Sequence, residues 1–381
     1  MIIGFDASRA QVSERAGPEN YTYNLLRSLL GLDKRNRYRL YVSPQTSTFL
    51  PNFQPLVSSF ELRSISWPRL WTQAGLALEC WQDTPDVLFI PAHTIPLVRR
   101  PSLPTVVTIH DVGFQKYLKT YQSWWGRLYE GRVSNYAARN ATHLIAVSES
   151  TKRDLVEKLR VRPEKITVVY EGVDHNKFKM QNAKCKTDEV KRKYRIDSDY
   201  LLFVGTVQPR KNLVRLMEAF SALVSRSPTL NLVIAGKRGW LSDEIYAAPR
   251  KFGVGERVKF LGFVPTEDIV SLMNGALLFV FPSLYEGFGL AVLEAMACGC
   301  PVVASNISSL PEVVGEAGIL VDPYRTDSIA RGIRKVLELD ETQRRNLIER
   351  GLQQAKKFTW EKAARETINV FKLIHDRNLR S

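Results

Sequence analysis

Residues 281–299 read FPSLYEGFGLAVLEAMACG. The apolar run that ends at Phe281 predicts a buried strand, and the apolar run that begins at Leu290 predicts a helix. Between them, Gly287 and Gly289 let the backbone approach a ligand closely, because glycine has no Cβ. A glycine loop between a strand and a helix start is typical of a site for an anion or a diphosphate. The segment therefore predicts an α/β fold that binds a phosphate-type ligand at this turn.

The same alternation of short strands and helices extends over the rest of the chain. In the first half, the predicted strands are Ile2–Asp6, Tyr38–Val42, Val87–Ile90, Thr105–Ile109, His143–Val147 and Ile166–Val169, and the predicted helices are Tyr21–Leu30, Trp125–Asn140 and Ser150–Leu159. In the second half, the predicted strands are Tyr200–Val204, Asn231–Ala235, Val258–Leu261, Leu277–Phe281 and Pro301–Ala304. Strands that alternate with helices form parallel sheets covered by helices. We therefore expect two Rossmann-like, doubly wound domains with a cleft between them.

The domain boundary is predicted where the alternation weakens. Lysines, asparagine and glutamine dominate Asp174–Tyr194, and we place the linker there. The expected domains are residues 1–176 and residues 177–359, followed by a helix over residues 360–381.

Composition limits the classes of function. A net charge of +15 suits phosphates, nucleic acid or an anionic membrane face, but no nucleic-acid-binding module is recognisable. The chain has no run of about 18 apolar residues, and its start reaches Asp6 too early for a signal peptide. The 4 cysteines have no CxxC spacing, which predicts a reducing, cytoplasmic setting. We read Cys298 and Cys300 as packing residues rather than as half of a metal site.

Two acids and two bases are the candidate ligand-binding side chains. Glu286 precedes the predicted helix and Glu294 lies one turn inside it, so both can accept hydrogen bonds from the hydroxyls of a sugar or a ribose. Taken alone, Glu294 would be read as a structural partner of a basic side chain and Glu286 as a solvated turn residue, and the glycine pattern between them favours the ligand-binding interpretation. Gly205 follows a predicted strand and leads to Arg210 and Lys211, which suit a diphosphate.

These residues resemble the E-x7-E motif and the donor loops of the large retaining glycosyltransferase family, group 1, which includes bacterial mannosyltransferases. The resemblance covers essentially the whole chain and also rests on Gly236-Lys237, Leu261-Gly262-Phe263-Val264 and Leu310-Pro311-Glu312-Val313. It implies the GT-B architecture, in which two Rossmann-like domains face a central cleft. Residues 1–176 would form the acceptor-side domain and residues 177–359 the domain that binds the nucleotide sugar, and the helix of residues 360–381 would return to the first domain. The resemblance also implies a UDP- or GDP-sugar donor as substrate and no cofactor.

The resemblance implies roles for individual residues. Arg210 and Lys211 would bind the donor diphosphate, Glu294 the ribose and Glu286 the transferred sugar. The remaining donor contacts would come from the backbone of Val264 at the base and from Phe288, Gly289 and Leu290 near the sugar.

Two residues of the first domain also match the family. His110 follows the strand Thr105–Ile109 and would lie beside the donor sugar, although a lone histidine is more often structural. Gly17 belongs to a loop that approaches the phosphates or the acceptor in the family, but here Pro18 removes a backbone donor and Glu19 adds a negative charge. Glu171-Gly172 resembles the turn at the end of the family's first domain and is read as architecture.

Retention is expected to proceed by front-face substitution, since no carboxylate has a persuasive claim to be a nucleophile. Asp197-Ser198-Asp199 resembles a DxD metal motif, but it lies far from the donor loop in the chain, so we predict metal-independent catalysis. The alternatives are a sugar-nucleotide epimerase or hydrolase on the same fold and a non-catalytic nucleotide-sugar-binding protein.

The acceptor is predicted only by class, as a glycan or a lipid-linked acceptor. A basic, aromatic stretch of the first domain suits an anionic membrane surface at the inner face of the membrane, or equally the core face of an amphipathic helix. Its members are Lys116, Tyr117, Lys119, Tyr121, Trp124, Trp125, Arg127, Tyr129 and Arg132.

Overall fold

A computed structural model describes residues 1–12, 17–44, 60–67, 70–113, 124–179, 184–225 and 227–380. These residues divide into two compact units. The N-terminal unit comprises residues up to Gly172 together with the segment from Thr359 onward, and the C-terminal unit spans Val173–Phe358. The end of the chain thus belongs to the same unit as its beginning.

The N-terminal unit is built on a parallel sheet of 7 strands in the order β3-β2-β1-β4-β5-β6-β7. The strands are β1 (Ile2–Asp6), β2 (Arg37–Val42), β3 (Phe60–Ser64), β4 (Val87–Ile90), β5 (Thr105–Ile109), β6 (His143–Ala146) and β7 (Ile166–Val168). Every residue of β4, β5 and β6 is buried, because helices cover both faces of a parallel sheet. The strand order reverses between β1 and β4, and ligands bind at the carboxyl ends of the strands at such a reversal.

The helices of this unit are α1 (Gly17–Leu32), α2 (Ala77–Gln82), α3 (Trp124–Asn140) and α4 (Glu149–Leu159), and a helical turn at Trp71–Leu76 precedes α2. A further helix, Trp360–Arg380, closes the unit. It packs on α1 and the sheet, with the Trp360 ring centroid 5.8 Å from that of Tyr21 and the Phe371 centroid 5.2 Å from that of Phe89. These aromatic contacts hold the C-terminal segment in the N-terminal unit.

The C-terminal unit contains a parallel sheet of 6 strands in the order β10-β9-β8-β11-β12-β13. Its strands are β8 (Tyr200–Val204), β9 (Asn231–Ala235), β10 (Val258–Gly262), β11 (Leu278–Phe281), β12 (Val302–Ser305) and β13 (Ile319–Val321). Its helices are α5 (Lys184–Lys193), α6 (Leu213–Val224), α7 (Asp243–Lys251), α8 (Thr266–Gly275), α9 (Leu290–Ala297), α10 (Leu310–Val314), α11 (Thr326–Leu337) and α12 (Glu341–Ala355). Here the order reverses between β8 and β11.

The predicted fold class of two doubly wound, Rossmann-like sheets is confirmed. The chain passes between the units at Gly172–Val173 and at Phe358–Thr359. α5 lies inside the segment expected to be a linker. Its Val190 is buried and its Lys193 forms an ion pair with Asp268 of α8 over 2.6 Å, so tertiary packing stabilises a helix that the sequence pattern did not indicate. Among the described residues, no helix is both long and apolar enough to cross a bilayer.

Candidate active site

Two loops meet at the strand reversal of the C-terminal unit. One follows β8 and runs from Gly205 to Asn212, and the other follows β11 and runs from Pro282 to Gly289. The strands β8 and β11 are direct neighbours in the sheet. The loops singled out by the sequence therefore emerge side by side at the place where a doubly wound sheet opens a ligand crevice.

Backbone contacts make glycine necessary at the end of β9. A Cβ on Gly236 would lie 1.9 Å from the carbonyl oxygen of Gly205, which no side chain can accommodate. The amide of Gly236 donates to the carbonyl of Gly262 over 2.7 Å. The ends of β8, β9 and β10 are thus tied together, and Val264, buried in the loop after β10, lies at the same edge of the sheet.

Asn212 joins the two loops. Its backbone is left-handed, with φ of 61°, and its side-chain amide donates to the carbonyls of Pro282 at 3.0 Å and Pro323 at 2.7 Å. The amide of Leu284 donates to the carbonyl of Arg210 over 2.9 Å. These bonds fix the backbone that carries the two predicted bases against the loop that carries the predicted acid.

Arg210, Lys211 and Glu286 form one cluster. Arg210 Nη1 lies 2.9 Å from one carboxylate oxygen of Glu286, and Lys211 Nζ lies 2.6 Å from the other. The side chains of Lys211 and Glu286 are only 9% and 10% exposed, and the Lys211 ammonium also lies 4.7 Å from the centre of the Phe281 ring. The structure therefore brings together three residues that the sequence predicted to act together.

Electrostatics keep this carboxylate ionised. Burial by itself would raise the pKa of Glu286, but the attraction of Arg210 and Lys211 and the hydrogen bond from Lys211 outweigh it and lower the pKa from 4.5 to about 2. The formal charges of Arg210, Lys211 and Glu286 sum to plus one. Cationic side chains beside a glycine loop are suited to a phosphate group.

Three serines hold the loop that carries Glu286, and sequence reasoning missed them. Ser308 donates to the carbonyl of Glu286 and accepts from its amide over 3.1 Å. The Ser309 hydroxyl lies 2.7 Å from the carbonyl of Phe288, and Ser305 donates to the carbonyl of Ser283 over 2.6 Å. The available signal was their position directly at or after β12, the strand next to β11.

The start of α9 continues the Glu286 loop. Gly289 precedes the helix with φ of 111°, and a Cβ there would lie 2.6 Å from a methyl group of Leu310. The first backbone amides of a helix have no partner within it and carry partial positive charge. Phe288 is buried, Leu290 is half-buried, and Glu294 is half-buried one turn along the helix.

The carboxyl edge of the N-terminal sheet carries His110. Its Nδ1 lies 3.1 Å from a carboxylate oxygen of Glu171, and its Nε2 lies 3.0 Å from the carbonyl oxygen of Pro91. His110 and Glu171 are 8% and 5% exposed. Glu171, read as architecture from the sequence, is thus a direct partner of a predicted site residue.

Gly17 is the first residue of α1 and is exposed, and a Cβ added to it would meet open space. Glu19, whose negative charge is unfavourable for a phosphate, forms an ion pair with Arg9 over 3.1 Å. Residues 114–123 of the basic, aromatic stretch lie outside the described residues, as do the side chains of residues 124–131.

The DxD-like segment has an ordinary structural position. The Asn231 side chain donates to the Ser198 hydroxyl over 2.6 Å, and the backbone N–H of Asn231 donates to the Asp199 carbonyl over 2.9 Å. These bonds connect the starts of β8 and β9, at the edge of the sheet opposite the donor loops. In the part of the chain that the structure describes, no group of three or more His, Cys, Asp or Glu residues could hold a metal ion.

Two family models match the chain. Residues 15–177 match Glycosyltransferase Family 4, and residues 186–354 match Glycosyl transferases group 1. The chain is 36% identical over 237 residues to O-antigen chain mannosyltransferase B of Escherichia coli, covering 62% of this chain and 61% of that protein. It is 29% identical over 289 residues to the serotype-specific mannosyltransferase WbdA of Escherichia coli, covering 74% of this chain and 34% of that protein. The chain therefore spans about three fifths of the first relative and a third of the second.

Solved structures match over nearly the full length. A sucrose-phosphate synthase from Thermosynechococcus elongatus matches with a TM-score of 0.73 at 18% identity over 99% of both chains. HepE of Anabaena, solved in complex with UDP and glucose, matches with a TM-score of 0.73 at 19% identity over 97% of this chain and 99% of that chain. These likenesses confirm the predicted fold class.

Proposed function

The chain belongs to the glycosyltransferases that join a Family 4 domain to a group 1 domain, and on that basis we propose that it transfers a hexose from a nucleotide-diphosphate sugar to a glycan or lipid-linked acceptor. The observation that carries this proposal is the cluster of buried Lys211 and Glu286 with partly exposed Arg210 at the strand reversal of the C-terminal unit. It offers positive charge for a diphosphate and a carboxylate for sugar hydroxyls within one pair of loops.

In this proposal the donor lies along the carboxyl ends of β8 to β11. Arg210 and Lys211 bind the diphosphate, and the amides at the start of α9, from Phe288 to Leu290, lie near the sugar and its phosphate. Glu286 accepts hydrogen bonds from the sugar, and Glu294 accepts them from the ribose. Val264, at the end of β10, binds the base through its backbone.

We further propose a retaining reaction by front-face substitution. The bond between the anomeric carbon and the diphosphate oxygen breaks while the acceptor oxygen approaches from the same face. Arg210 and Lys211 stabilise the negative charge on the leaving diphosphate, and one of its oxygens takes the acceptor proton. Glu286 is unsuited to be a nucleophile, because Arg210 and Lys211 each hold one of its oxygens.

Mannose is the sugar we favour, because two relatives are described as mannosyltransferases. The first of them is also described as an O-antigen chain enzyme, which supports a growing polysaccharide as the acceptor. Attachment to an anionic membrane surface at the cytoplasmic face is part of the proposal, since a lipid-linked acceptor would be presented there.

The test is a donor and acceptor screen with the purified chain. GDP-mannose, UDP-glucose and related sugars are supplied with and without glycan acceptors, and released nucleoside diphosphate and glycosylated product are measured together. We expect the release of nucleoside diphosphate to require an acceptor and to equal the amount of glycosylated product. Conversion of the donor without acceptor would favour an epimerase or hydrolase, and binding without any turnover would favour a non-catalytic protein.

A further inference from the structure

Six exposed apolar side chains come from two neighbouring segments of the N-terminal unit. Large apolar side chains are usually buried, and a contiguous exposed group of them marks an interaction surface. The exposed fractions of the six range from 44% to 67%. The group, which we call the apolar strip, comprises Trp67, Leu70, Leu78, Trp81, Leu97 and Val98.

Hydrogen bonds hold the two segments side by side. The Gln73 side chain, in the helical turn before α2, donates to the Ile95 carbonyl over 3.0 Å and accepts from the backbone N–H of Leu97 over 2.8 Å. Arg100 donates to the Trp81 carbonyl over 2.7 Å, and its guanidinium carbon lies 5.7 Å from the centre of the Trp81 ring. The loop between β4 and β5 therefore lies along α2 and the turn that precedes it.

The other members of the strip adjoin the same turn and helix. Leu70 directly precedes the turn, and a Cβ added to Gly75 in the turn would lie 2.9 Å from the Cβ of Trp67. Leu78 and Trp81 are three residues apart in α2, a spacing that places them on one side of the helix. The six side chains thus form one continuous surface.

The charges directly beside the strip are positive. Arg99 and Arg100 follow Val98 in the chain. Arg99 donates to the carbonyls of Pro96 over 3.1 Å and Asn140 over 2.6 Å, and Arg100 likewise donates to a carbonyl. Because these acceptors are uncharged, both guanidinium groups keep their full positive charge.

Further cations lie close to Arg99. The Lys165 ammonium donates to the Arg139 carbonyl over 2.6 Å. Burial, together with the positive charges of Arg162 and Arg99, lowers the pKa of Lys165. A cation whose pKa is lowered by other cations lies in a positive potential, and such a potential attracts negatively charged groups.

The acids of the α2 segment have other basic partners. Glu79 lies 3.9 Å and Asp83 lies 2.9 Å from nitrogen atoms of Arg63. Asp83 also lies 3.0 Å from a nitrogen of Arg39. These acids therefore pair with arginines of β2 and β3 rather than with the arginines beside the strip.

We propose that the apolar strip, together with Arg99 and Arg100, binds the surface of an anionic lipid bilayer. This inference rests on the proposed function, in which a lipid-linked acceptor lies in that bilayer. Tryptophan is enriched at membrane interfaces, because its ring is apolar while its N–H stays hydrated. Aliphatic side chains next to arginines suit the boundary between acyl chains and lipid phosphates. These two features favour a bilayer over a protein partner.

The strip is linked to the edge of the sheet that carries His110. The β4–β5 loop begins at Pro91, whose carbonyl oxygen lies 3.0 Å from His110 Nε2, and continues to Leu97 and Val98. An acceptor whose lipid end stays in the bilayer would therefore extend its glycan toward this edge. The surface is distinct from the basic, aromatic stretch of residues 116–132 that the sequence suited to a membrane.

Sedimentation with vesicles tests the proposal on the full chain. The vesicles contain phosphatidylcholine with or without phosphatidylglycerol, and we expect wild type to bind the anionic ones more weakly as salt is raised. Replacement of both Leu97 and Val98 by Asn should weaken this binding at least about tenfold, since two apolar side chains no longer enter the bilayer. Arg100→Gln should weaken it about fivefold and should not change the binding to neutral vesicles.

A matched control and a kinetic readout accompany the binding assay. Leu241→Asn alters a leucine of the other unit that is 58% exposed and should bind vesicles like wild type. With the acceptor held in vesicles, the variant of Leu97 and Val98 should have a raised KM for the acceptor. With a water-soluble glycan acceptor it should match wild type, because the strip is separate from the donor loops.

The proposal is overturned if the variant of Leu97 and Val98 binds anionic vesicles as tightly as wild type, or if charge reversal of Lys116 and Lys119 alone removes the binding. Wild type that does not bind vesicles overturns it as well, and a changed oligomeric state of the variant in light scattering would then identify the strip as a contact between copies of the chain. Failure of glycosyl transfer would appear as no turnover by wild type with any donor, while the vesicle result would still decide whether the strip binds lipid.

Discussion

Replacement of Glu286 by Gln removes one buried negative charge from beside Arg210 and Lys211. The fall in the pKa of Glu286 from 4.5 to about 2 corresponds to about 3 kcal/mol of stability at pH 7. This agrees with the roughly 3–5 kcal/mol typical of a buried ion pair broken on one side. We therefore expect the variant to be less stable by about 3 kcal/mol.

The sign of the pH dependence follows from the lowered pKa. The stabilisation is fully present above the unfolded-state value of 4.5 and is lost as the pH falls through 4.5 toward 2. Between pH 7 and pH 3, the deficit of Glu286→Gln relative to wild type should therefore shrink from about 3 to about 1 kcal/mol.

Urea unfolding provides the assay. Trp240 is the only tryptophan of the sequence between Val173 and Phe358, so 19F NMR of fluorotryptophan-labelled protein reports the C-terminal unit through one signal. Glu256→Gln, an exposed acid of the same unit, is the matched control. The reasoning is refuted if Glu286→Gln unfolds at the same urea concentration as this control at pH 7, or if its deficit is the same at pH 3.

Two further predictions concern the loops around the cluster. Asn212→Ala should destabilise the C-terminal unit by about 2–3 kcal/mol in urea unfolding, because it loses two buried hydrogen bonds and strains a left-handed backbone. Asn212→Gly removes the same bonds without the strain and should recover about 1 kcal/mol of this loss. Equal free energies of unfolding for the two variants would show that backbone strain is negligible at this position. Gly236→Ala should destabilise the protein by more than about 3 kcal/mol, since its Cβ would overlap the Gly205 carbonyl. Gly255→Ala, with open space around its Cβ, should change the stability by less than about 1 kcal/mol. Similar melting temperatures for the two variants would contradict the packing argument.

Long apolar strands and the donor loops could be predicted from the sequence. β1, β4, β5, β8 and β9 have the predicted bounds, because buried parallel strands are continuous apolar runs with abrupt polar ends. The proximity of Glu286 to Arg210 and Lys211 followed from the position of each residue after a strand, whereas their direct ion pairs were not predicted. Neighbouring strands that are far apart in the chain bring such residues together.

Other features could not be predicted from the local sequence. β3 is an edge strand whose residues are not fully buried, and its alternation of polar and apolar residues is short. α7 contains Pro249, which local rules treat as a helix breaker. The partners of His110 could not be predicted because Pro91 and Glu171 come from different strand ends, and their contact depends on the order of strands in the sheet.

The central claim is that Arg210 and Lys211 bind the diphosphate of a nucleotide sugar. The most direct measurement is calorimetric titration of GDP and UDP into wild type, Arg210→Ala and Lys211→Ala, with Lys335→Ala, an exposed cation of the same unit, as the control. We predict that one nucleotide binds to wild type and to the control, and that each site variant weakens this binding at least about tenfold, as for a lost charge-assisted hydrogen bond. Equal affinity in Arg210→Ala, Lys211→Ala and wild type would contradict the claim.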